Sequence, residues 1–154
     1  MEFSKLHKIS IDEFILKWRW TDSKYCLMPE NDLRKIYPLD ENSSKLIWEN
    51  SLTFTSDESD FSPSNKLFTE IENIETENNT GVSNWLIKKL TNCQIVVNWQ
   101  PDSSVLTNTE VFIKYWDDFC YPSSDDVSIW PEDESWILHY WHEEQFWFGK
   151  RKNL

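Results

Sequence analysis

The hydrophobic pattern changes period at Pro122, and no other feature of the chain constrains its fold as much. Before that proline, Phe112, Tyr115, Trp116 and Phe119 stand at i, i+3, i+4 and i+7, which is one face of an α-helix. After it the period falls to two. Asp126–Trp130 reads as a short strand and Pro131-Glu132-Asp133-Glu134 as a turn. Trp136–His142 and Gln145–Gly149, joined at Glu143-Glu144, read as a β-hairpin. Helices first and antiparallel strands last define an α+β fold. N-terminal helices are expected to pack on a C-terminal antiparallel sheet that ends in the hairpin.

The first half supplies the helices. Ser10 and Glu13 have the spacing of a capping box, and Phe14–Trp20 is expected to form a short helix followed by a strand. Pro29 opens a helix that runs to about Ile36 and stops before Pro38. Asp40 can cap another through about Asn50. Residues 55–66 read as a polar loop, and Leu67, Phe68, Ile71 and Ile74 are spaced like a helix face. The 55–81 stretch is expected to be a flexible or inserted segment of an otherwise single domain. Val82–Leu90 reads as a helix, Cys93–Trp99 as a buried β-branched strand, and Thr107 as the N-cap of the helix ending at Phe119.

Composition removes several classes of function. The chain of 154 residues contains two glycines, Gly81 and Gly149, and no alanine. Phosphate-cradling loops need several glycines to bring backbone against the ligand, so P-loop and dinucleotide fingerprints are excluded. Cys26, Cys93 and Cys120 are scattered and form no CxxC pair, which speaks against a disulfide framework or structural zinc. No apolar run approaches the ~20 residues that span a bilayer. The segment MEFSKLHKIS lacks the apolar core of a secretory signal, so the expected compartment is the cytoplasm. A net charge of −12 opposes direct binding to nucleic acid or anionic membrane and favours a basic partner.

Residues 115–149 contain no Lys or Arg, yet hold nine acids: Asp117, Asp118, Asp125, Asp126, Glu132, Asp133, Glu134, Glu143 and Glu144. Such a run is often only a solvated rim. The same stretch, however, carries several of the ten tryptophans, and Trp is enriched where binding energy concentrates. The candidate partner-binding residues are Asp125, Asp126, Trp130, Glu132, Asp133, Glu134, Trp141, His142, Glu143 and Glu144.

Three groups of residues have the makings of a catalytic or metal constellation. His139 and His142 are three apart on an expected strand, which puts them on opposite faces and speaks against a shared metal. Asp125-Asp126 could serve as an acid pair, although adjacent residues point apart and loop capping is the ordinary role. Cys120 with His142 as base lacks the electropositive setting that a reactive thiol needs. No cofactor, metal ligand or catalytic residue is assigned.

Asp32-Leu33, Ile36, Pro38-Leu39 and Trp48, then Phe112, Trp116, Phe119, Ser124-Asp125-Asp126, Trp136, Leu138, Tyr140, His142 and Phe148-Gly149, carry a resemblance. The chain resembles a bacterial domain-of-unknown-function family of small tryptophan-rich acidic proteins over about residues 12–50 and 94–152. In size, charge and layout it is also similar to the immunity proteins encoded beside bacterial toxins. That likeness implies a non-enzymatic protein that neutralises a cognate toxin by binding it. The alternatives are a DNA-mimic or phage-type nuclease inhibitor, and a small enzyme using Asp125, Asp126 and His142.

Overall fold

The computed structural model describes residues 1–153. It is an α+β fold in which six short helices flank one seven-stranded antiparallel sheet, most of it C-terminal. The strands are β1 Tyr37–Pro38, β2 Phe68–Glu75, β3 Gln94–Gln100, β4 Ser103–Asn108, β5 Val127–Pro131, β6 Trp136–Trp141 and β7 Gln145–Arg151. They lie in the order β1-β4-β3-β5-β6-β7-β2. The helices are α1 Trp18–Thr21, α2 Glu30–Leu33, α3 Glu41–Leu52, α4 Val82–Lys89, α5 Thr109–Lys114 and α6 Trp116–Phe119.

The sheet is buried on both faces, because each central strand sends apolar residues alternately to two cores. Ile95, Val97, Ile129, Leu138, Tyr140 and Phe146 face the larger core, which α1, α4, α5 and α6 help to close. Val96, Leu106, Trp130 and Ile137 face a smaller core completed by Phe3, Leu6, Ile47 of α3, Phe54 and Phe68. Gly149 lies against the small core: a Cβ there would come 2.9 Å from Phe68 Cβ and 3.2 Å from Pro63 Cβ.

Several local readings hold. Asp40 caps α3 by accepting from the Ser43 amide at 2.8 Å, which satisfies one of the free N–H groups of the first turn. Ser10 accepts from Asp12 N but starts only a 3₁₀ turn, Ile11–Glu13. The hairpin forms as expected, with Trp141 opposite Gln145 and a three-residue loop closed by Glu144 at φ 61. A left-handed third residue is the usual geometry of such a loop.

Four expectations need correction. Phe14–Trp20 contributes no strand; it turns into α1, which buries both Arg19 and Trp20. The helix face at 112–119 belongs to two helices broken at Tyr115 (φ −123, ψ 27). Its cap is Asn108, which accepts from Val111 N at 2.8 Å, because Thr107 is still paired with Ile95 in the sheet. The stretch 67–79 forms the edge strand β2 instead of a helix. A bulge between Thr69 and Glu72, with Glu70 at φ 51, inserts one extra residue into its pairing with β7. Phe68 and Ile71 thereby face the small core and Ile74 the large one, so a strand takes on a spacing of three.

Candidate functional site

Strand register lays a polar row across the small-core face of the sheet. Ser104 lies opposite Asn98, Asn98 opposite Ser128, Ser128 opposite His139, and His139 opposite Trp147. These residues sit two positions along their strands from the apolar Leu106, Val96, Trp130 and Ile137. One half of the face is thus hydrophobic and lies under α3 and the N-terminal segment. The other half is polar and is met by the 55–64 loop.

That loop is pinned at Phe61, whose backbone adopts φ 60. The Phe61 ring stacks on the His139 imidazole with centroids 4.3 Å apart, and its carbonyl lies 2.8 Å from Nδ1. A carbonyl only accepts, so Nδ1 carries the proton and Nε2 is left buried without a partner. Burial pushes the His139 pKa down to about 4, which keeps the ring neutral at physiological pH.

Between the loop, the last turns of α3 and the end of the sheet lies a cleft of about 190 Å³. Trp48, Phe61, Asn98, Ser124, Asp126 and Ser128 are among the residues that line it. Asp126 stands at its edge and is exposed, and its Oδ1 accepts from both His142 N (3.0 Å) and His142 Nδ1 (2.9 Å). His142 Nε2 faces Glu143 at 3.6 Å, and no Ser or Cys side chain hydrogen-bonds to it among the described residues.

The expected partner-binding residues do not form one surface. β5 and β6 are antiparallel, so Asp126, Trp141, His142, Glu143 and Glu144 lie at one end of the sheet and Glu132, Asp133 and Glu134 at the other. The six residues of β6 put roughly 20 Å between the two groups. Glu132 accepts from Phe3 N, and Glu134 accepts from Asn50 and sits near Arg151. That turn is used to anchor other parts of the chain.

Two candidates are buried. Trp130 is 1% exposed and packs edge-on to Phe54 in the small core. Asp125 is 8% exposed and is held by the Arg19 guanidinium, with Nη1 at 2.7 Å and Nη2 at 3.0 Å, and by Tyr121 N at 2.8 Å. Arg19 in turn lies against the rings of Trp18, Trp99 and Tyr121. The adjacent aspartates point to separate environments and cannot act as an acid pair. Cys120 is buried, and burial raises its thiol well above the ordinary range.

The Asp126 end of the sheet collects other carboxylates. Antiparallel pairing of β3 with β5 brings Asp102 to this end. The Thr76 amide donates to the Glu144 carbonyl, which places Glu77 nearby. Thr55 and Phe61 both line the cleft, and the loop between them carries Asp57, Glu58 and Asp60. Among the described residues, none of these acids, nor Asp126, Glu143 or Glu144, has a Lys or Arg within salt-bridge distance. Some carboxylates elsewhere do have one, as Asp32 with Lys114, Glu70 with Lys150, Glu72 with Lys89 and Glu134 with Arg151, whereas others, Asp117, Asp118, Glu132 and Asp133 among them, have none among the described residues.

Trp48, Phe61, Asn98 and Ser128 were not among the expected site residues. A signal for two of them was present, since Asn98 and Ser128 interrupt otherwise apolar buried strands. Among the described residues, no three His, Cys, Asp or Glu side chains gather as a metal-binding group. No helix is long and apolar enough to cross a membrane. No family model, curated protein or solved structure matches the chain.

Proposed function

We propose that this protein is an immunity-type inhibitor that binds a basic protein, a cognate bacterial toxin, through the Asp126 end of its sheet. The observation that carries this reading is the gathering of Asp57, Glu58, Asp60, Glu77, Asp102, Asp126, Glu143 and Glu144 around one end of the molecule, none of them with a Lys or Arg within salt-bridge distance among the described residues. Unpaired like charges repel one another and weaken the compact state. A basic partner relieves that repulsion, and the field speeds its approach. Trp141 and Trp48, both half-buried at this end, supply apolar contact beside the charge. A DNA mimic needs carboxylates spaced along an extended face, whereas these gather around one cleft. The reading is therefore a compact protein–protein contact in which the chain performs no chemistry.

The test is co-purification with the product of the adjacent gene. A complex is expected whose association slows as salt rises, because exposed charges more than about 8 Å apart are screened at physiological ionic strength. Asp126→Lys with Glu143→Lys should abolish it, and the same reversal at Glu132 and Asp133 should not. Absence of any complex, or equal damage from both pairs, refutes the proposal.

A further inference from the structure

Three side chains that border the cleft beside Asp126 each keep an acceptor with no donor among the described residues. Asn98 is 1% exposed, and its Nδ2 lies 2.9 Å from the Gln100 carbonyl and 2.8 Å from Ser104 Oγ. Those neighbours fix which amide atom is the nitrogen and leave Oδ1 accepting no hydrogen bond among the described residues. Ser128, 4% exposed, makes no side-chain hydrogen bond, and Asp126 spends only Oδ1 on His142. All three residues border the same cleft, which Trp48 and Phe61 also line. Asn98 Oδ1, Ser128 Oγ and Asp126 Oδ2 are therefore free to accept, and the arrangement is suited to an occupant that brings donors and positive charge.

The volume narrows the choice. About 190 Å³ is smaller than the roughly 300–1,000 Å³ of sites that enclose cofactors or nucleotides. It fits one side chain. An ammonium holds its water strongly, whereas a guanidinium is planar, weakly hydrated and stacks on aromatic faces while donating in several directions.

We infer that the cleft seats a single arginine side chain of the basic partner, the guanidinium lying against Trp48 and Phe61 and donating to Asp126 Oδ2, Asn98 Oδ1 and Ser128 Oγ. This rests on the partner-binding function proposed above and names its anchor. Oδ1 of Asp126, fixed by His142, orients the carboxylate for that contact.

Ethylguanidinium is the probe, titrated into ¹⁵N-labelled protein and followed by the Trp48 indole and Asn98 side-chain amide signals. Saturable shifts of both are expected, weakened about tenfold or more in Asp126→Asn, as for loss of a charge-assisted hydrogen bond. Trp48→Leu, which leaves the hydrogen-bonding groups in place, should weaken binding too and guards against misfolding of the first variant; amide dispersion reports the fold of each. Equal shifts with butylammonium overturn the guanidinium assignment. Binding of an arginine-rich peptide at the acidic end, without any cleft response to ethylguanidinium, overturns the cleft assignment and leaves the partner proposal standing. Binding of neither probe overturns both.

Discussion

Replacing Asp125 by alanine should cost about 3–5 kcal/mol of folding stability, the range found when one partner of a buried ion pair is removed. Two Arg19 contacts at 2.7 and 3.0 Å and the Tyr121 amide at 2.8 Å lose their acceptor at once. Arg19 cannot escape to water, since its side chain is 4% exposed and enclosed by Trp18, Trp99 and Tyr121. The aromatic faces recover part of the loss, roughly 0.5–2 kcal/mol, which favours the lower half of the range. For a domain whose total stability is on the order of 5–15 kcal/mol, the variant would be folded but fragile. The melting temperature should fall by roughly 6–20 °C, at about 2–4 °C per kcal/mol. The double variant Arg19→Met, Asp125→Ala removes the stranded charge and should recover at least about 2 kcal/mol relative to Asp125→Ala. Urea titrations of the wild type, both single variants and the double variant close the cycle. A loss under about 1 kcal/mol for Asp125→Ala, or additive losses in the cycle, would refute the claim that the pair is a coupled internal strut.

Further predictions concern single positions. Gly149→Ala should lower stability by about 1–3 kcal/mol, because its Cβ meets Phe68, Pro63 and Ile137 within 3.3 Å; an unchanged thermal melt would contradict the packing described. Glu144→Gly should raise stability by about 1 kcal/mol by relieving its left-handed backbone, and a loss in urea titration would count against that geometry. His139 has a folded pKa of about 4, below its ordinary 6.5, so between those values the unfolded chain binds the proton and the folded one does not. Stability held by the neutral ring is then complete above about pH 6.5 and is lost as pH falls toward 4, by on the order of 3 kcal/mol. In His139→Gln the fall in urea midpoint between roughly pH 7 and pH 5 should be smaller than in the wild type, and identical falls would rule the mechanism out.

The α+β architecture, the α3 cap and the terminal hairpin were legible because each has a local signal: a period, a capping aspartate, a short loop. β2 was not. Its bulge spaces Phe68, Ile71 and Ile74 three apart, and the resulting pattern is indistinguishable from a helix until β7 is known to lie beside it. β4 was missed for the opposite reason, since Ser103–Asn108 mixes hydroxyls and apolar residues that are all buried except half-buried Asn108. The candidate site fared similarly. Adjacency in sequence suggested that Asp125 and Asp126 act together, but only the fold shows that Arg19, over a hundred residues away, claims one of them. Trp130 looked like an anchor because composition cannot distinguish a core tryptophan from an exposed one. The cleft itself is assembled from α3, the 55–64 loop, β3 and β5, and no single segment carries its signature.

The turn from Pro131 to Ser135 has a practical consequence. It receives the beginning of the described chain, through Phe3 N on Glu132, and its end, through Arg151 N on the Ser135 carbonyl at 2.8 Å. Both tethering points therefore lie at the pole of the molecule opposite the cleft. A label attached beside Phe3 or Arg151 would point away from the acidic end and leave that surface unmasked.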